Sequence, residues 1–441
     1  MSKFDHRKSQ TPEPPSPPVP EDYPERSTSL GGINKALDSA SRGIVKVFGH
    51  ERGQSLTIPL LAIFLSLLVI GVLLLALGNN PLEVYRSLLA GAGWLPKANY
   101  GGGQSQLTDL IGLATTITPL LFGALGVVVA LRAGLFNIGI AGQMVLAAFV
   151  ATVFVGYSDL SAWVARPLVL LIGIGVGALA GALIGFLKYR FNIHEVVSSI
   201  MLNNVFMLVV AYFIKLNYQD PVSRNMRAAS ADSRLLTQPM EFGEASARLP
   251  VGFLLALLCA VLLWFFLTKT KQGFEMTTVG KSPKAAEYAG IKIGRTVILS
   301  MAISGAMGGL AGVTHFMANV PSIAPNLLPP LGFDAIAVAL LGNVHPLGAI
   351  LGATLITTLT SGATYMSSIV GVRQEIAAVI TGLILLFTAC AGFLRAWVEN
   401  KKRLIADADE AKRKQSVAAS VTEDGAMPAE KASVKKGGDG T

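Results

Sequence analysis

Between residues 57 and 394 the chain alternates long apolar runs with short polar or basic intervals, and outside those limits no apolar period is present. A run of about 20 apolar residues is the length that crosses a bilayer as a helix, and only a helix or a closed barrel satisfies its own backbone there. Runs at 57–78, 107–131, 133–156, 167–187, 196–214, 251–267, 297–316, 347–366 and 376–394 fit the helical case. A tenth run, 333–342, is too short to cross as a straight helix, so it is either a broken span or a re-entrant hairpin near Asn343, His345 and Pro346. The pattern predicts an all-α, polytopic transmembrane bundle of about ten spans.

Basic residues sort the two sides. Arg42, Lys46 and Arg52 precede the first run, Lys188 and Arg190 end the fourth, and Arg395, Lys401, Lys402 and Arg403 follow the last. Cytoplasmic loops carry such an excess, so both termini are placed in the cytosol and the glycine-rich 79–106 and mixed-charge 215–248 segments outside. The organisation expected is a disordered tail at 1–41, a basic juxtamembrane segment at 42–56, a membrane domain at 57–394 and a charged cytosolic tail at 395–441. The first tail is rich in Pro, Ser and charge and is read as solvated rather than regulatory.

One cytosolic stretch, 268–294, has a pattern of its own. Ser282 suits an N-cap, Pro283 the first helical position, residues 284–289 favour helix, and Gly290 supplies a left-handed stop. A helix under two turns long does not hold in water unaided, so it must lean on its flanking spans or on a partner. Ala285, Ala286 and Ala289 would let it enter a groove closely, which favours a plug that fits another protein over an ordinary basic loop.

Within the middle of the spans the polar content is almost entirely uncharged. Gly173, Gly177, Gly181 and Gly185 form a row at i, i+4 spacing against which another helix must pack. Ser300, Ser304, Gly308 and Gly312 form a second such row, and the pair hints at two related halves. Gly134, Gly139 and Gly142 around Asn137 and Gln143 either mark irregular backbone covered by the bundle interior or serve only to pack helices. Asn192 with Glu195 three residues on resembles a capped helix start. Ser199 and Asn203 then continue a polar stripe that either binds a neighbouring helix or lines a pathway. His345, beside a proline, is read as a loop residue.

Composition narrows the function. At 441 residues, 52% hydrophobic and 14% charged, the chain is too apolar for a soluble domain of its size. Its net charge of +9 belongs to the juxtamembrane basic clusters, with no nucleic-acid motif beside them. Cys259 and Cys390 lie in apolar runs and are read as packing residues. Mid-span ionisable groups of the kind that relay protons or couple ions are nearly absent. Gly280, Lys281 and Ser282 imitate the end of a phosphate-binding loop, but Glu275 stands where its first glycine is needed. No metal-binding or nucleophile motif appears, so neither a cofactor nor a catalytic residue is expected. The remaining fit is a conduit for a neutral, hydrogen-bonding solute, driven by another protein's ATP hydrolysis.

Three segments, 135–143 (LFNIGIAGQ), 192–204 (NIHEVVSSIMLNN) and 280–290 (GKSPKAAEYAG), resemble permease subunits of ABC importers, in the branched-chain amino acid, ribose and nucleoside permease family. Within it they look most like the nucleoside (guanosine-type) or simple-sugar permeases, and the resemblance covers 57–394. One position departs: related permeases commonly carry an acidic residue where Ala141 stands. The resemblance implies two permease subunits, identical or paralogous, two cytosolic ATPase subunits and an extracytoplasmic substrate-binding protein. It makes 282–290 the coupling helix, with Ser282, Pro283, Ala286, Glu287, Tyr288 and Gly290 its residues and Glu287 and Tyr288 the leading contacts. Asn137, Gln143, Ser199 and Asn203 are expected along the pathway from polarity and position. Nucleosides are the expected cargo, with a ribose-like sugar or a branched-chain amino acid as alternatives. A self-sufficient channel, or a membrane scaffold working through its tails, is the competing class.

Overall fold

The computed structural model describes residues 54–389, apart from 98–99, 101–104, 236–238, 243–244, 249–250 and 321, together with residue 400. The expected tails, 1–41 and, apart from residue 400, 395–441, lie outside the described residues, as do Arg42, Lys46, Arg52 and Cys390, and nearly all of the 42–56 segment. The described spans belong to one compact unit, Glu51–Ala396.

Its helices in chain order are α1 (Gln54–Ala76), α2 (Pro81–Gly91), α3 (Gln106–Arg132), α4 (Ile140–Ala151), α5 (Ala162–Phe191), α6 (Glu195–Phe213), α7 (Val251–Lys269), α8 (Lys271–Lys281), α9 (Pro283–Tyr288), α10 (Ile293–Thr314), α11 (Leu331–Leu341), α12 (Pro346–Val370) and α13 (Glu375–Ala389). Among the described residues the regular structure is helical but for one short antiparallel hairpin, Pro239–Phe242 with Ala245–Arg248, inside the segment expected as an outer loop. Among the described residues six helices are long and apolar enough to cross a membrane, and the pair α1 and α2, bent by 118°, makes a seventh if its halves count as one span. Ile140–Gly156, Leu331–Leu341 and Glu375–Ile384 are apolar but shorter.

Two helices form the axis of the unit. The most apolar window of α3 is 83% buried and that of α10 78%, against 22% for α7, whose Leu254, Leu258 and Phe265 face outward as lipid-facing side chains do. Glycine explains how α10 reaches the centre. A Cβ added at Gly177 would meet the Gly305 carbonyl and lie 2.8 Å from the Gly309 Cα, and one at Gly185 would lie 2.9 Å from the Ile298 Cα. The first glycine row therefore seats α5 on α10, as its spacing predicts. Its partners there are Gly305 and Gly309, one position beyond the row read from the sequence. Gly308 and Gly312 of that row face Gln143 and Met144 of α4 instead.

The C-terminal ends of α4, α6 and α10 each finish in a π-helical turn, at Thr152–Gly156, Ile214–Tyr218 and His315–Asn319. The segment 227–235 is hydrogen-bonded to all three: Arg227 N–H to the Tyr218 carbonyl at 2.9 Å, Ser230 N–H to Gly156 at 2.8 Å and Leu235 N–H to Met317 at 3.0 Å.

Three local expectations need correction. The glycine-rich outer segment contains α2, which starts because the Asn80 side chain accepts from Leu82 N–H at 3.1 Å and Pro81 supplies the first helical φ. Asn192 does not open α6: it ends α5 in the left-handed region (φ 53°), and His194 caps α6 by accepting from Val196 N–H through Nδ1 at 3.3 Å. Glu195 is instead ion-paired with Lys188 across that turn and only 6% exposed. Residues 271–281, read as loop, form α8.

Candidate functional site

The element at 268–294 is assembled from caps and glycines. The Thr270 hydroxyl accepts from Gly273 N–H at 3.1 Å to start α8, and a Cβ at Gly273 would lie 2.6 Å from the Leu267 Cα, so α8 folds back tightly onto the end of α7. The Ser282 Oγ then accepts from Ala285 N–H at 3.3 Å and Pro283 takes the first helical position of α9. At the other end Gly290 sits at φ 77°, and Ile291 N–H donates to the Ala286 carbonyl at 3.0 Å, closing the helix on its own carbonyls. The stop and the cap stand where their residue types place them.

Only Ala286 of α9 is buried, at 0% exposure, and it anchors the helix to the unit. Lys284, Ala285, Glu287 and Ala289 are exposed, and the Tyr288 ring is 94% exposed. An aromatic ring held in water on a capped, anchored helix leaves a large apolar contact unused, and such rings anchor interfaces.

A second cluster lies inside the bundle. Residues 133–139 are not helical, and the N-cap position of α4 is Gly139, which has no side chain with which to cap it. The missing cap comes from elsewhere. The Asn203 carboxamide of α6 accepts from Gly142 N–H at 2.8 Å and donates to the Ile138 carbonyl at 2.9 Å. Asn137 accepts from Gly139 N–H at 2.9 Å, and its Nδ2 donates to the Ser304 Oγ at 2.9 Å and to the Gln143 Oε1 at 3.2 Å. Asn137, Gln143 and Ser304 are fully buried and Asn203 is 3% exposed. The irregular backbone thus has its groups answered by the neutral side chains of Asn203 and Asn137, and Ser304 of α10 holds Asn137 in place. Nothing in this network titrates.

Three of the four expected pathway residues, Asn137, Gln143 and Asn203, are therefore brought together. Ser199 shares the face of Asn203 but bonds within its own helix, to the Val196 carbonyl at 3.0 Å. Ser304 belongs to the network and was passed over as a packing residue; its i+4 place beside Gly308, which leaves room for the Gln143 side chain, was the available signal. Ala141 is fully buried, with the Gly332 backbone of α11 so close that a Cβ there would lie 2.6 Å from it, so no acidic side chain has space at that position.

The two clusters touch through backbone. A Cβ at Gly280, the penultimate residue of α8, would lie 2.7 Å from the Gly134 nitrogen, and one at Gly134 would lie 2.8 Å from the Gly280 Cα. Gly134 has φ 70°, so a larger residue there is excluded twice over. The helix α8 bears directly on the irregular stretch that leads to Asn137. Among the described residues no three His, Cys, Asp or Glu side chains gather to hold a metal.

Residues 110–389 match the family described as branched-chain amino acid transport system / permease component. The guanosine ABC transporter permease protein NupP of Bacillus subtilis is 34% identical over 350 residues, covering 78% of this chain and 96% of that protein. The nucleoside ABC transporter permease protein NupB of Lactococcus lactis is 32% identical over 376 residues, 83% of this chain and 99% of that protein. The glucose ABC transporter permease protein TsgB13 of Haloferax volcanii is 26% identical over 349 residues, 77% and 88% of the two chains.

Proposed function

The chain belongs to the branched-chain amino acid transport system permease family, and from that premise we propose that it forms the membrane pathway of an ATP-driven importer for nucleosides. The observation that carries the cargo is the similarity to NupP and NupB along nearly their whole length. The uncharged buried network agrees with it, because a neutral solute needs hydrogen bonds rather than counter-charges.

In this proposal the bent pair and the three shorter apolar helices cross with the six long ones, giving the ten expected spans with both termini in the cytosol. The helix α9, with Ser282, Pro283, Ala286, Glu287, Tyr288 and Gly290, couples to a cytosolic ATPase subunit, where ATP is hydrolysed. Ser282, Pro283 and Gly290 shape the helix, Ala286 fastens it, and Glu287 and Tyr288 meet the partner. Asn137, Gln143 and Asn203 act on the pathway by fixing the irregular wall at 133–139, and Ser199 extends their polar face. A second permease subunit, identical or paralogous, completes the pathway, and a substrate-binding protein delivers the solute to the outer side.

The test is uptake of radiolabelled guanosine in cells carrying this permease with its ATPase and binding protein. Glu287→Ala with Tyr288→Ala abolishes uptake and weakens copurification of the ATPase, while the permease remains folded in the membrane. Undiminished uptake with the ATPase still bound refutes the coupling assignment. Competition by ribose or leucine, but not by unlabelled guanosine, refutes the cargo.

A further inference from the structure

Where α11 turns into α12, a cavity of about 320 Å³ opens beside the end of α3, lined among others by Arg132, Asn343, His345, Leu347 and Leu351. That volume falls in the range of about 300–1,000 Å³ typical of small-molecule sites. The turn is held in an unusual shape, with Asn343 and Val344 both at positive φ (55° and 52°), and the Arg132 Nε donates to the Val344 carbonyl at 2.8 Å. That bond fixes the guanidinium against the cavity. Among the described residues Arg132 has no carboxylate partner, so its terminal nitrogens keep a charge and hydrogen bonds for a further acceptor.

His345 presents the same sign of chemistry. Its Nδ1 accepts from Leu347 N–H at 3.2 Å, and burial together with the Arg132 charge holds the imidazole below its ordinary pKa, so the proton of the neutral ring sits on Nε2, a donor. Arginine and imidazole therefore offer donors, and no carboxylate is found among the described residues that line the cavity. The rim is different: Leu351 is 63% exposed and Leu347 36%, and both lie in the first two turns of a spanning helix. A donor-lined pocket opening onto an apolar, membrane-level rim matches a phosphodiester with hydrocarbon attached better than a soluble phosphate, which has no use for the leucines.

We propose that this cavity binds the headgroup phosphate of an anionic phospholipid of the inner leaflet, with Arg132 as its cation and Leu347 and Leu351 along the acyl chain. The leaflet rests on the orientation given under Proposed function, but binding is read without transport, so failure of the nucleoside assignment leaves this test standing. Such a lipid would sit against the end of α3, next to the Gly134–Gly280 contact, where the cytosolic helices bear on the bundle.

The experiment uses the full chain reconstituted in nanodiscs of phosphatidylcholine doped with phosphatidylglycerol, then released and weighed by native mass spectrometry. The wild type retains phosphatidylglycerol over phosphatidylcholine, and Arg132→Gln lowers that preference on the order of tenfold, as expected for one charge-assisted contact. Arg132→Lys keeps part of it, and Lys271→Gln, at a lysine whose side chain is 89% exposed, leaves it unchanged. Should R132Q fail to fold, Leu351→Trp, which obstructs the rim and spares the Arg132–Val344 bond, decides the matter by lowering retention in a folded protein. Equal retention in the wild type and in the folded variants overturns the proposal. Displacement of the lipid by inorganic phosphate also overturns it, in favour of a soluble anion.

Discussion

Asn203→Ala removes one side chain and strands two backbone groups 61 and 65 residues away, the Gly142 N–H and the Ile138 carbonyl. The Gly142 N–H is buried and belongs to the first turn of α4, whose own N-cap residue, Gly139, has no side chain, while the Ile138 carbonyl belongs to a half-buried residue. A stranded buried group costs about 1–3 kcal/mol. Side-chain hydrogen bonds between membrane helices average only about 0.6 kcal/mol, because a chain unfolded in lipid finds other partners. The two limits bracket the loss between about 1 and 6 kcal/mol. Backbone groups cannot rotate away as a side chain can, so we place it near 3 kcal/mol, on the order of a hundredfold in the folding equilibrium. Asn203→Leu, which refills the space without restoring either bond, is expected to be no better. Equilibrium unfolding in mixed micelles containing dodecyl sulfate measures the loss, and guanosine uptake should fall with it. A loss under about 0.5 kcal/mol would mean that 138–142 has other partners, and the account of the buried network would fail.

Two further outcomes follow from the packing and the titration. Gly177→Leu inserts a side chain where even a Cβ meets the Gly305 carbonyl, so α5 and α10 must part; a stability loss of at least the ~1–3 kcal/mol typical of overpacking is expected by the same unfolding measurement, whereas Gly175→Leu, with open space around it, should cost little. His345 is held below its ordinary pKa first by burial and then by Arg132, so its folded-state pKa lies below the unfolded value. Its contribution is complete above about pH 6.5 and is lost as the pH falls through the lower, folded value. His345→Gln should flatten that acid limb of the stability profile, and an unchanged limb in the variant would remove His345 as its cause.

Local chemistry was readable wherever it acts between neighbours in the chain. Ser282, Pro283 and Gly290 marked α9 to within a residue, because a cap, a proline φ and a left-handed stop are decided by bonds that close within a turn. The glycine row of α5 announced a close helix for the same reason, its spacing being a property of one helix. The same local rules misled at Asn192, which has the side chain of a cap but ends α5, and they gave no sign of α8, where Gly273 and Gly280 are needed because backbone approaches them.

What the sequence by itself determined is that this chain lives in a bilayer: long uncharged runs cannot be solvated, and in hydrocarbon they become helices. It also determined the capped helix α9. Only the tertiary structure decided that Asn203 would cap α4 from another helix, that Ser304 would meet Asn137 across 167 residues, and that Gly305 and Gly309 would be the glycines facing α5. Those pairings depend on which helix faces come to lie together, a choice made by the packing of the whole bundle and carried by no single stretch of residues.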